Sequence, residues 1–161
     1  MKTASIKELK TELNTLATSR LIELCMQLSK YKKENKELLS YLLFEASDEQ
    51  LFIKEVKKLI DDQFECMNKS NLYLVKKTLR KILRTTNKYI KYSGIKQTQV
   101  ELLLYFCKKI RKEGIPVNTN LVIGNIYKRQ VQKIKEALAT LHEDLQFDFA
   151  DDIKALSQLA Y

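Results

Sequence analysis

The sequence predicts an all-α protein: a single-domain helical bundle or a short stack of helical hairpins, with about seven or eight helices over residues 1–161. Three observations carry this. Apolar residues recur at steps of three and four along almost the whole chain, the period of a helix with one buried face. Three Gly and one Pro in 161 residues are too few for a many-turned β architecture. No alternating apolar–polar run competes with the helical pattern. At 45% hydrophobic residues the composition is that of a globular chain, long enough for a core that needs no disulfide or metal.

The elements follow in order. Ser5-Ile6-Lys7-Glu8 reads as a capping box and opens a first helix carrying Ile6, Leu9, Leu13 and Leu16. A second runs from Ser19 to Tyr31 over Leu21, Leu24, Cys25 and Leu28. A third, from Glu34 to Glu45, is apolar on most sides (Leu38, Leu39, Leu42, Leu43, Phe44), which predicts a central place in the core. Ser47-Asp48-Glu49-Gln50 repeats the capping-box pattern and starts a fourth helix with the stripe Phe52, Val56, Leu59, Ile60, Gln63 and Met67. A fifth starts near Ser70 and closes before Gly94, a residue able to take the left-handed conformation of a helix end. Thr98-Gln99-Val100-Glu101 opens a sixth, stopped by Gly114 with Pro116 behind it. A seventh, from Thr119, carries a 4-3-4-3-4 stripe from Tyr127 to Leu145, with Gly124 inside it. A last short helix holds Ile153, Leu156 and Leu159.

Cys25-Met26-x-x-Ser29 and Cys66-Met67-x-x-Ser70 lie 41 residues apart, and Cys107 lies another 41 on. Stacked hairpins with a HEAT-like period of roughly 40–47 residues would give this spacing. The three cysteines have no C-x-x-C spacing, which predicts small buried thiols in a reducing compartment. Separately, Ser5-Ile6-Lys7-Glu8-Leu9-Lys10, Leu21-Ile22-Glu23-Leu24 and Tyr31-Lys32-Lys33-Glu34-Asn35-Lys36-Glu37-Leu38-Leu39 resemble the opening of an uncharacterised family of small helical bacterial proteins. The resemblance covers the first third to half of the chain and implies neither an activity nor functional residues.

The charge is unevenly placed. The chain has 29 Lys+Arg against 20 Asp+Glu, a net +9. Between Glu65 and Glu101 stand nine cations (Lys69, Lys76, Lys77, Arg80, Lys81, Arg84, Lys88, Lys91, Lys96) and no acid, so the rest of the chain balances at 20 against 20. On the fifth helix Leu72, Val75, Leu79, Ile82, Thr86 and Ile90 form the inward stripe, and Lys77, Lys81, Arg84, Lys88 and Lys91 point the other way. Like charges one turn apart cost about 0.2–0.5 kcal/mol per pair, and no glutamate is interleaved to offset them. An external polyanion is the expected partner: nucleic acid, with Lys77, Arg80, Lys81, Arg84, Lys88 and Lys91 on its phosphates. Tyr73, Tyr89 and Tyr92 offer stacking and Asn87 a hydrogen bond. The alternative is a protein-interaction scaffold, or a homodimer, in which the basic helix meets an acidic surface. Glu136, Glu143, Asp144, Asp148, Asp151 and Asp152, within one chain or across two, are the candidate acids. Lys108, Lys109, Arg111 and Lys112 end the sixth helix and read as complements to its dipole.

No enzyme constellation stands out. His142 is the single histidine, the cysteines lack paired metal spacing, the glycines stand apart, and Asp148-x-x-Asp151-Asp152 has no calcium-loop pattern. No cofactor or metal is expected. The longest run without a charged residue is 14 residues, Gly114 to Tyr127, too short to span a bilayer, and MKTASIKELK shows no apolar leader segment. A cytoplasmic, non-catalytic binding protein with no membrane partner is the expectation.

Overall fold

The computed structural model describes residues 2–157, which are mostly helical with no strand among them. The helices are α1 (Ile6–Thr15), α2 (Thr18–Tyr31), α3 (Lys33–Ser40), α4 (Glu49–Glu65), α5 (Leu72–Ser93), α6 (Lys96–Lys112), α7 (Leu121–Leu138), α8 (Glu143–Asp148) and α9 (Ala150–Ser157). A π-helical turn, Tyr41–Glu45, follows α3. Where the sequence offers no linker, the chain separates into two compact units, residues 1–44 and 45–161.

In the first unit the Ser5 capping box is present: its hydroxyl accepts from the Glu8 amide and Glu8 Oε2 accepts from the Ser5 amide at 2.7 Å. The backbone and hydroxyl of Ser5 hold the Glu8 carboxyl below the usual range. α2 and α3 form a hairpin, tied where Asn35 Nδ2 donates to the Leu28 carbonyl at 2.9 Å. No residue of α1, α2 or α3 is buried. The core position expected for the third helix is therefore corrected: Leu42, Leu43 and Phe44 are exposed. An apolar run shows that a surface needs covering, not that it has been covered.

The second unit is built around α6, which packs on α4, α5, α7 and α9. Val100, Leu102, Leu103, Leu104, Phe106, Cys107 and Ile110 of α6 are buried on several sides of the helix. Around it lie Phe52, Ile60 and Phe64 of α4, Leu79 and Ile82 of α5, and Ile123, Tyr127 and Ile134 of α7. Each such side chain contributes about 1.5–3 kcal/mol through burial.

Polar ties set the register. Ser93 meets Glu49 at 2.5 Å, Lys57 meets Glu101 at 3.2 Å, Tyr105 meets Asp61 at 2.6 Å and Lys69 meets Glu113 at 2.6 Å. Each pair is 44 residues apart. A constant separation means that α4 and α6 run parallel. The step repeats from α6 to α9, where Lys108 pairs with Asp152 at 2.7 Å and Arg111 donates to the Ala155 carbonyl at 2.8 Å. The same 44-residue step thus recurs, whereas the cysteines are spaced by 41. The cysteines do not mark it. Cys107 is buried, its thiol pushed by burial up to about 12, whereas Cys25 and Cys66 are exposed, contrary to expectation.

Several helix ends differ from the sequence reading. Asp48 caps α4 by accepting from the Leu51 amide, which frees Glu49 to take the hydroxyls of Ser93 and Thr98. Thr98 is therefore a buried tertiary donor inside α6, not its cap, and Glu101 pairs with Lys57. Asn71 and Asn120 cap α5 and α7. Gly94 and Gly114 take positive φ (68° and 64°) just past α5 and α6. α7 ends at Leu138, so the stripe expected to reach Leu145 is broken by the turn before α8. Of the last helix, Leu156 is buried, while Leu159 lies outside the described residues.

Two predictions follow from this packing. A Cβ on Gly124 would meet the Val117 carbonyl oxygen at 2.6 Å, so α7 seats on backbone that cannot swing aside. Gly124→Ala is expected to lower unfolding free energy by about 1–3 kcal/mol in urea titrations, despite the better helix propensity of alanine.

The Asp61–Tyr105–Lys109 tie gives a pH signature. Burial raises the Asp61 carboxyl, but hydrogen bonds from Lys109 (2.7 Å) and Tyr105, with the Lys109 and Lys112 charges, outweigh it and hold the group below its usual range. Its stabilisation is present above about pH 4 and is lost as pH falls through the depressed value. Tyr105 is pushed by burial and by Asp61 up to about 12, so its contribution is intact below about pH 10 and fades as pH rises towards 12. Tyr105→Phe should cost about 1–2 kcal/mol at neutral pH and flatten the alkaline limb of the stability–pH curve.

Candidate functional site

The distinctive surface is the outer face of α5. Its 22 residues span about 33 Å, capped by Asn71 at one end and by Gly94, whose amide donates to the Ile90 carbonyl, at the other. Val75, Leu79, Ile82 and Thr86 turn inward and anchor the helix on α4 and α6. The Thr86 hydroxyl donates to the Ile82 carbonyl at 2.9 Å, so its buried oxygen is satisfied within the helix. Leu72 departs from the expected stripe and is exposed.

With that face fixed, Lys77, Arg80, Lys81, Arg84 and Lys91 are all exposed, and Lys88 is half-buried. The row from Lys77 to Lys91 covers about 21 Å along the helix. Among the described residues, none of the ion pairs found involves Lys77, Arg80, Lys81, Arg84 or Lys91. Lys69, counted with them in the sequence, is different. It pairs with Glu113, whose carboxyl is held low chiefly by that hydrogen bond.

Three of the C-terminal acids are engaged elsewhere. Asp152 meets Lys108, Asp151 approaches Lys154 at 3.8 Å, and Glu136 accepts from Gln132 at 2.9 Å. His142 caps α8, its Nδ1 accepting from the Asp144 amide and lying 3.2 Å from the Asp144 carboxylate. α9 packs on α6 and α7, whereas α5 packs on α4 and α6. The cations ending α6 do more than complement its dipole: Lys108, Lys109 and Arg111 each tie α6 to a neighbouring element.

The aromatic residues near the row divide into two roles. Tyr73 is exposed near the start of α5. Tyr89 and Tyr92 are half-buried and meet edge-to-face at 5.7 Å, with Phe52 packed on Tyr89 at 6.0 Å. The Lys88 ammonium lies 4.7 Å from the Tyr89 ring centre and 5.9 Å from that of Tyr92, a cation–π seat that positions this end of the row. The sequence reading missed that seat, although Lys88-Tyr89 followed by Tyr92 places all three on adjoining turns. Asn87 Nδ2 already donates to the Leu83 carbonyl at 2.8 Å. The face therefore offers charge and few groups suited to reading a base edge.

Lys128, Arg129, Lys133 and Lys135 of α7 are also exposed, on a helix that carries Glu136 among them. No described helix is long and apolar enough to cross a membrane, and no cluster of metal-ligating side chains occurs among the described residues. No protein-family model, curated protein or solved structure matches the chain.

The neighbouring cations Lys77, Lys81 and Arg84 have a thermodynamic signature of their own. Replacing Lys81 by Glu removes repulsion with Lys77 and Arg84 and substitutes attraction at the same spacings. The variant should be more stable by about 0.5–1 kcal/mol at low salt, with the gain shrinking as salt is added. Denaturant midpoints at two ionic strengths check this; a loss of stability would mean that Lys81 has a carboxylate partner in the native state.

Proposed function

We propose that the protein is a non-catalytic, intracellular nucleic-acid-binding module that holds the phosphate backbone through the outer face of α5. The observation that carries this reading is the row Lys77, Arg80, Lys81, Arg84 and Lys91, exposed and without an acid partner among the ion pairs found, with Lys88 seated on two tyrosine rings at its end. A helix shaped only for solubility would carry interleaved glutamates, as Lys33 and Glu37 do at 3.7 Å on α3. Here the repulsion is left in place, and a phosphate chain is the ligand that relieves it. Binding is independent of sequence, because the side chains on this face are cationic and Asn87 is committed to its own helix. Tyr73 gives one exposed ring for stacking on an unpaired base.

The protein-scaffold reading, in which the same row meets an acidic surface, draws less support. In the acid-rich C-terminal segment Asp152, Asp151 and Glu136 have their partners on α6, α9 and α7.

Fluorescence anisotropy with labelled DNA and RNA oligonucleotides of unrelated sequence tests the proposal. With six phosphate contacts, log K should fall against log salt with a slope of about −5 on a duplex. The triple variant K77E/K81E/R84E should lose binding while remaining folded, and single Lys→Ala variants should each reduce the slope by about one. Absence of binding to any polynucleotide at low salt would refute the reading.

A further inference from the structure

We infer that the chain forms a two-fold dimer through residues 1–44, the α1 ridge of one copy lying in the α2–α3 groove of the other. The first unit has the sequence of a packed helical domain and almost none of its burial. Among its described residues Tyr41 alone is buried, while Ile6 is 82% and Phe44 77% exposed. An isolated helix as short as α1, ten residues, is marginal in water unless its apolar face is covered. A unit of 44 residues is also close to the size below which a chain needs outside support to fold.

The area matches what a dimer needs. The exposed apolar side chains of the unit, from Ile6 to Phe44, present on the order of 1,000 Å². A stable interface buries about 800 Å² on each partner. The unit also supplies both halves of a joint. Ile6, Leu9 and Leu13 step by three and four along α1, forming an apolar ridge about 10 Å long, with Leu16 at the extended C-cap beyond it. The α2–α3 hairpin encloses an apolar groove of about 320 Å³ lined by Cys25, Leu28, Leu38, Leu39 and Leu42.

Ridge into groove, twice, is the self-complementary arrangement that a two-fold axis generates. Charge permits it. The hairpin carries Arg20, Lys30, Lys32, Lys33 and Lys36 against Glu23, Glu34 and Glu37, and α1 is balanced, with Lys7 and Lys10 against Glu8 and Glu12. The two halves therefore meet without net like-charge repulsion. A foreign partner would have to supply either the ridge or the groove, and this chain already holds both. Such a dimer presents two copies of the basic α5 row, so a long polyanion is held at two points and binds more tightly than either row alone would hold it.

Sedimentation of the full chain from about 1 to 100 µM tests this, with circular dichroism as the control for folding. The wild type should run at twice the chain mass, and the Leu9→Gln/Leu13→Gln variant should raise the dimer dissociation constant about 100-fold or more. Leu42→Gln, in the groove, should act in the same direction, whereas Leu9→Met/Leu13→Met keeps the ridge apolar and should keep the dimer. A monomer throughout the range overturns the inference, as does a dimer that ignores both glutamine variants and dissolves in salt.

Discussion

The constraint on which the second unit depends is the parallel register of α4 and α6. Two ties at the same 44-residue offset, Lys57–Glu101 and Asp61–Tyr105, with Asp61–Lys109 one turn further on, admit one alignment of two otherwise smooth apolar faces. Apolar packing alone would tolerate a slip of one turn. A slip here would leave Asp61, Tyr105 and Lys109 unpaired in a partly buried seam. Because α6 is held in this way, α7 and α9 pack on it, and α5 is the connecting helix between the two registered ones. The connecting role gives α5 one buried face and leaves the other to solvent.

How much of this could be read from the residues varies by element. The start of α1 and the ends of α5 and α6 were legible because capping and stop signals are local: Ser5 with Glu8, Gly94 and Gly114 act within a few residues. Thr98 and Glu101 show the limit, since a local capping pattern was used instead for bonds to Glu49 and Lys57 on another helix. α7 illustrates a second limit. Periodicity continues through Leu141 and Leu145, and only the turn at residues 139–141 shows that the stripe has passed to another helix. The third concerns burial. Leu42, Leu43 and Phe44 read as core because hydrophobicity reports the demand for cover, and their exposure became visible only in three dimensions.

The candidate site was legible in a simpler way, since charge arithmetic along one helix requires no long-range contact. The inward stripe of α5 was readable from spacing, and the outward direction of Lys77, Lys81 and Arg84 follows from it. Their freedom from ion pairs was not readable, because Glu136 to Asp152 supply enough carboxylates to neutralise the row if the chain folds that way. The fold sends Asp152 to Lys108, Asp151 to Lys154 and Glu136 to Gln132. The Lys88–Tyr89–Tyr92 seat was hidden for a related reason: tyrosines at helical spacing look alike whether they face a core, a ligand or a neighbouring ammonium.

The two units carry different unmet demands, apolar area in residues 1–44 and positive charge on α5, and each points to a partner of matching chemistry. The charge demand is the centre of the account. Titrating isotope-labelled protein with a short duplex while recording backbone amide shifts tests it most directly. The account predicts shifts concentrated between residues 76 and 91, with those of α7 smaller, and their disappearance on raising salt. Shifts centred on Lys128 to Lys135, or none at low salt, would contradict it.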